Sequence, residues 1–206
     1  MRQEAAVIDR HDITGLVLAG GRGSRMGGVD KGLQHYRGLP LVAHALQRLA
    51  PQVGQVMISA NRNLADYAAF GVPVWSDANG AGQVAHSAEF AGPLAGMRSG
   101  LDHCPTPWLA VVPCDSPWLP TDWVAQLAAG AIAASTGLAV AATSQRLQPV
   151  VALLHVDLRV SLAAFLANGG RKIESWMIPE RPAIVTFADA TAFRGANTYA
   201  ELQSLS

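Results

Sequence analysis

Short apolar runs alternate with segments whose apolar residues recur every three or four positions, and the alternation persists through the first two thirds of the chain. Ile13–Leu18 is an apolar run bounded by polar residues and glycine, which predicts a buried strand. Residues 40–49 carry apolar positions at helical spacing with proline in the first turn, which predicts a helix. Strands are predicted at Gln55–Ser59 and 72–76, with a short helix over 64–70 between them that Gly71 ends. A loop rich in glycine and alanine runs to about residue 92, followed by a helix over 93–101 and a strand over 108–112 stopped by Pro113. Next come a helix over 120–134, strands at Leu138–Thr143 and 150–154, and a helix over 158–168 closed by Gly169 and Gly170. A last strand, Ala183–Phe187, precedes a last helix over 198–205. Such alternation marks a parallel sheet covered on both faces. The predicted fold is therefore α/β, a mostly parallel, Rossmann-like three-layer sandwich in a single domain spanning 1–206. No internal repeat or low-complexity linker interrupts it.

In an open sheet of this kind, ligands bind beyond the carboxyl ends of the strands. The informative residues are then those just after Leu18, Ser59, Ser76 and Val112. Composition narrows what they bind. Half of the residues are hydrophobic, enough for a sizeable core. Lys plus Arg and Asp plus Glu number 15 each, so no bulk field holds nucleic acid or an anionic membrane. Any anion site must be local. Residues 123–145 carry no charge and are long enough to span a bilayer. Their alanines and glycines, with Gln126, Ser135 and Thr136, fit a helix, a turn at 135–137 and a buried strand better. Residues 1–12 contain Arg2, Glu4, Asp9, Arg10 and Asp12 and lack the apolar stretch of a signal peptide. Cys104 and Cys114 form no CxxC pair, and no second Cys or His pair completes a zinc set. They read as reduced thiols of a cytoplasmic protein.

The local basic excess lies in residues 18–32, LAGGRGSRMGGVDKG, where Arg22, Arg25 and Lys31 share a glycine-rich stretch with one acid, Asp30. Glycine permits positive φ and close approach, so a loop leaving the first strand can aim backbone N–H groups at a phosphate. Neither common phosphate motif fits. A Walker loop needs Lys where Val29 stands, and Lys31 is followed by Gly32. A GxGxxG fingerprint has Met26 at its last glycine. On the residues alone, the stretch is a phosphate cradle or a flexible glycine turn. Asp115, in VVPCDSP, reads as a lone carboxylate suited to Mg²⁺, which keeps several waters and takes its other ligands from substrate phosphates, or as a helix cap ahead of Pro120. Asp77 ends VWSD and reads as a turn residue. Asp30 would most simply orient the loop by pairing with Arg22 or Arg25. His35, His44, His86, His103 and His155 lack ligand spacing, and Cys114 reads as packing.

Residues 18–33 resemble, without a break, the signature LAGGxxxRMGGxDKGL of the molybdenum cofactor guanylyltransferases. ANR at 60–62, GPLAGM at 92–97, PCDSP at 113–117 and the pair Asn197 and Thr198 follow in the family's order. The resemblance implies a nucleotidyltransferase fold, with about 13–134 the nucleotide-binding half and about 135–206 the pterin side. It implies that a phosphate on molybdopterin attacks the α-phosphorus of GTP and that pyrophosphate leaves. Leu18, Ala19, Gly20, Gly21 and Asp77 would bind the nucleotide. Lys31, with Arg25 as helper, would neutralise phosphate charge, and Asp115 would hold Mg²⁺ beside the nucleotide. Molybdenum-insertion proteins and molybdoenzyme chaperones are implied as further partners; nucleic acid and membrane are not. Arg171 and Lys172 are candidates for the pterin phosphate. A cytidylyltransferase on the same pterin, a sugar-1-phosphate nucleotidyltransferase and a non-catalytic nucleotide or cofactor carrier are the alternatives. Guanine is favoured by GGxDKGL at 27–33 and by LAGG at 18–21, where the cytidylyl relatives usually have a third-position alanine.

Three features depart from the pattern. Ser59 stands where the family commonly has Asn. The loop over 78–91 is longer than usual and is expected to act as a flap over the site. The family's NxNTPE reads GANTYA at 195–200, where only Asn197 and Thr198 fit.

Overall fold

Ile13–Leu18 forms β1, the central strand, buried over five of its six residues as an interior parallel strand must be. The structure, a computed structural model, describes residues 7–19, 29–77 and 92–195. After β1 come the two-residue strands β2 (His35–Tyr36) and β3 (Leu39–Pro40), helix α1 (Leu41–Leu49), β4 (Gln55–Ser59), α2 (Leu64–Ala68) and β5 (Val74–Trp75). The second part contains α3 (Pro93–Asp102), β6 (Trp108–Pro113), α4 (Trp123–Ala134), β7 (Leu138–Thr143), β8 (Leu147–His155), α5 (Leu158–Ala167), α6 (Ile173–Met177) and β9 (Ala183–Phe187).

Seven strands form one sheet in the order β5-β4-β1-β6-β8-β7-β9. β1 pairs in parallel with β4 and β6, β4 with β5, and β7 with β9. Only β8 runs antiparallel, between β6 and β7. One apolar layer packs Leu49 of α1 and Trp123 and Leu127 of α4 against Val17 and Val112. The other packs Leu94, Met97 and Leu101 of α3 and Trp176 of α6 against Leu16 and Val111. The sheet between two helical layers is the expected three-layer sandwich.

Residues 123–145 resolve into α4, a left-handed Ser135 at φ 50° and β7, as the sequence implied. Among the described residues no helix is long and apolar enough to cross a membrane. Three details differ from the sequence reading. Arg37 and Gly38, with φ of 47° and 81°, close a small β2–β3 hairpin of the primed type where the sequence reading had placed no strands. β8 begins at Leu147, three residues before the expected 150–154 run, and carries Pro149 inside an interior strand. It does so at an irregularity: Val140 pairs with Ala152 but Ala141 pairs with Gln148, which frees the proline from a ladder position it cannot fill. α6 was not anticipated, although Ile173, Trp176 and Met177 stand at helical spacing and are all buried. The 78–91 loop and the helix expected over 198–205 lie outside the described residues.

Candidate active site

Parallel pairing brings three strand ends to one edge. Leu18 is level with Ser59 on one side and Pro113 on the other. The chain stays locked just past those ends, because the Ala19 N–H donates to Ser59 O at 2.8 Å and the Cys114 N–H to Leu18 O at 3.0 Å. A cleft of about 240 Å³ opens there. Leu18, Ala19, Lys31, Asp77 and Asp115 all line it. Five residues chosen from three separate segments thus converge, while Gly20, Gly21 and Arg25 lie outside the described residues.

Helix α3 closes one wall. Gly92, at φ 67°, turns the chain into Pro93 at the helix start. Gly96 then lets the helix lie against the strand ends: a Cβ there would come within 2.7 Å of Leu18 Cδ2 and 2.9 Å of Ser59 Oγ.

Asp115 and Lys31 meet across the cleft. The turn after β6 is closed by the Ser116 N–H donating to Pro113 O at 3.3 Å, which carries Asp115 to the edge. Lys31 Nζ donates to Asp115 Oδ2. The two side chains are 21% and 19% exposed, so the pair is open enough to exchange partners. Cys114, between Pro113 and Asp115, is not a nucleophile here: burial pushes its thiol well above the usual range, and the Asp115 carboxylate adds to that.

Lys31 owes its position to Asp30. The turn Lys31–Leu33 is capped by Asp30, whose Oδ1 accepts from the Gly32 N–H at 3.2 Å. The same oxygen accepts from Tyr67 Oη at 2.6 Å, and Oδ2 accepts from Asn63 Nδ2 at 2.9 Å. Arg62 Nε lies 3.4 Å from Oδ2, and Arg62 also donates to Val29 O at 2.9 Å. Asp30 is 7% exposed, and a buried carboxylate needs such company. The partners anticipated for it, Arg22 and Arg25, lie outside the described residues. Burial raises the Tyr67 phenol, and the hydrogen bond to Asp30 raises it further, so it remains a donor. Gly32 admits the arrangement: a Cβ there would sit 2.4 Å from Tyr67 Oη. Tyr67→Phe keeps the shape and removes the donor. It is expected to cost about 1–3 kcal/mol of stability, measured as a shift of the denaturant midpoint at constant m-value. A shift worth under about 0.5 kcal/mol would mean that Asp30 does not depend on this bond.

Asp77 stands at the other end of the cleft. Its Oδ2 accepts from Asn61 Nδ2 at 2.7 Å and its Oδ1 from Ser59 Oγ at 3.3 Å, while its own N–H donates to Asn61 Oδ1 at 2.9 Å. Burial raises its pKa, and the bonds from Asn61 and Ser59 counter the rise. Ser59 thus keeps a hydrogen-bonding role with a hydroxyl. Asn61 was not singled out from the sequence, nor were Asn63, Arg62 and Tyr67 as supports of Asp30. ANR marked the segment, but no spacing rule links residues 61–67 to position 30 or 77.

For a metal, the cleft offers one well-placed carboxylate, Asp115, neutralised by Lys31. Among the described residues no group of three or more His, Cys, Asp or Glu is arranged to cage an ion. That donor set suits a hard cation that keeps waters and shares its remaining positions with substrate phosphates.

A lysine–carboxylate pair and a second acid thus stand together at the carboxyl edge of an α/β sheet, the edge at which such sheets take their ligands. Residues 15–181 match the family model of the MobA-like NTP transferase domain, and the chain belongs to that family of nucleotidyltransferases. It is 55% identical over 203 residues to the molybdenum cofactor guanylyltransferase of Bordetella petrii, covering 97% of this chain and 100% of that one. It is 52% identical to the molybdenum cofactor guanylyltransferase of Cupriavidus necator, covering 96% and 98%. The resemblance noted in the signature loop therefore extends over nearly the whole chain. The fold is shared with the crystal structure of molybdopterin-guanine dinucleotide biosynthesis protein A from Archaeoglobus fulgidus, at a TM-score of 0.70, 19% identity and coverage of 93% and 95%. It is shared also with CMP:2-keto-3-deoxy-manno-octonic acid synthetase complexed with CTP, at a TM-score of 0.71, 12% identity and coverage of 94% and 96%. At those identities the structural likeness speaks for the fold alone. Nucleotidyltransferases of this family typically use a divalent metal.

Proposed function

We propose that the chain transfers GMP from GTP to the phosphate of molybdopterin, forming molybdopterin guanine dinucleotide and releasing pyrophosphate. The observation that carries this reading is the Lys31–Asp115 pair at the strand edge, in a chain more than half identical to a named guanylyltransferase. In the transfer, a phosphate oxygen of the acceptor attacks the α-phosphorus of GTP. The bond from that phosphorus to the bridging oxygen breaks, and its electron pair leaves with pyrophosphate. The nucleophile is already an anion, so no general base is required. Such chemistry asks for positioning and for charge stabilisation.

The residues divide the work. Leu18, Ala19, Gly20 and Gly21 present backbone groups to the nucleotide, and Asp77, braced by Asn61 and Ser59, offers it an acceptor. Lys31 turns from Asp115 to a phosphate oxygen when the nucleotide arrives, with Arg25 as its helper. Asp115 is the ligand for Mg²⁺, which when bound would neutralise charge developing on the phosphate oxygens. Arg171 and Lys172 are assigned to the pterin side. Arg171 Nη1 donates to Gly170 O at 2.8 Å, which fixes the guanidinium beside the end of α5. Residues 13–134 serve the nucleotide and 135–206 the acceptor. Molybdenum-insertion proteins and molybdoenzyme chaperones would supply and receive the cofactor in the cytoplasm.

The test is incubation with GTP, CTP or ATP at equal concentration, with Mg²⁺ and molybdopterin, and measurement of pyrophosphate. GTP is expected to be used well over tenfold better than CTP. Each guanine hydrogen-bonding group left unpaired against a smaller pyrimidine costs roughly 1–3 kcal/mol, and two suffice. Equal or better use of CTP overturns the guanine assignment and leaves only the wider nucleotidyltransferase class standing.

A further inference from the structure

The ladder between β6 and β8 stops short of the site. β6 continues to Pro113, but its pairing with β8 ends where Val111 meets Ala152. Nearer the carboxyl edge, β8 follows β7 alone, through the irregularity at Pro149, to Leu147 opposite Ala142. The two strands are thus unjoined over the last residues before Asp115, and Val150 forms part of the cleft wall there. The nucleotide-side residues Ala19, Ser59 and Asp77 lie at the carboxyl ends of β1, β4 and β5, on the opposite flank of β6. A gap beside Asp115 on the β8 flank is a natural seat for a second substrate.

Charge points the same way. Among the described residues lining the cleft, Lys31 is the cation, and Asp77 and Asp115 are the carboxylates. The reaction brings two phosphate-bearing molecules together there. On the β8 flank, Arg146 sits in the turn joining β7 to β8, at the same edge of the sheet. That turn is built, not loose. The Thr143 N–H donates to Arg146 O at 2.9 Å, and Thr143 Oγ1 accepts from the N–H groups of Gln145 and Arg146 at 3.4 Å. Thr143 is 8% exposed, so the bracing hydroxyl is itself held in place. Arg146 is exposed and has no carboxylate partner among the described residues. A guanidinium fork matches a phosphate through two parallel hydrogen bonds. Gln148, the second residue of β8, lies two positions further along the chain and carries an amide.

We propose that Arg146, with Gln148, binds the phosphate monoester of the acceptor on the β8 side of Asp115, and that the acceptor enters through the gap between β6 and β8. The proposal rests on the transfer reading above and deepens it by placing the second substrate. Arg146→Ala and Arg146→Lys are compared with wild type as full chains whose thermal unfolding is checked first. Molybdopterin binding is titrated without nucleotide, GTP binding is titrated separately, and kcat and KM are measured for each substrate. Arg146→Ala is expected to weaken molybdopterin binding by about tenfold to a hundredfold and to raise its KM in step, with GTP binding unchanged. Arg146→Lys recovers part of the loss, because a point charge replaces the fork incompletely. Unchanged molybdopterin binding by Arg146→Ala, beside an active wild type, overturns the subsite and leaves the transfer reading intact. Equal weakening of GTP and molybdopterin also overturns it, since a merely structural turn would do that. A wild type that binds no molybdopterin overturns both.

Discussion

Asp115→Asn is expected to fold as wild type does and to lose turnover by on the order of 10²-fold or more. The substitution keeps the shape at the end of β6 and removes the charge. Stability should change little, because a pair as open as Asp115 and Lys31 contributes at most about 1 kcal/mol. The rate should collapse, because the cleft then offers the metal no charged ligand at the β6 end, with Asp77 standing at the other end. The measurement is the initial rate of pyrophosphate release at saturating GTP and Mg²⁺, beside a thermal melt of the same sample. A purified, folded variant turning over within about threefold of wild type would sink the metal assignment.

Lys31→Ala should reduce kcat/KM for GTP by a comparable factor, on the order of 10²-fold, and Arg37→Ala by less than about twofold. The two cations lie close in sequence but differ in setting. Lys31 is held over the cleft by Asp30 and faces Asp115. Arg37 is exposed in the hairpin turn, with its guanidinium 5.2 Å from the centre of the Tyr36 ring. Removing Lys31 also leaves Asp115 without its counter-charge where polyphosphate must bind. Small and equal losses in the two variants would mean that the loop holds phosphate through its backbone alone.

The edge of the sheet was legible because parallel strands end with a common polarity. Once Ile13–Leu18, the 72–76 run and the 108–112 run read as parallel strands, Ala19, Asp77 and Asp115 had to gather at one side. The Lys31–Asp115 contact was not legible, because the geometry of a loop follows from what anchors it. Here the anchor is Tyr67, on the short helix α2, which donates to Asp30. Asn61 escaped for a similar reason: its reciprocal bonds with Asp77 join two loops whose distance no periodicity encodes. Pro149 misled in the opposite direction. A proline signals the end of a strand, and only the ladder irregularity beside it lets β8 continue to Leu147. The antiparallel direction of β8 follows from its short link to β7, through residues 144–146, which leaves no room for a crossover helix.

The place of β1 has a consequence for how the chain is made. β1 is made before both of its neighbours, and these come at very different times. β4 follows closely and covers one side. β6 arrives only after α3, and until then the other side of a mostly apolar strand shows unpaired N–H and C=O groups. Closing that pairing requires a contact of high sequence separation, the slow kind in folding. A nascent chain released before residue 113 would carry an open, sticky β-edge, the surface on which chains join one another. The strand that organises the finished site thus also leaves the growing polypeptide open to aggregation until β6 is made.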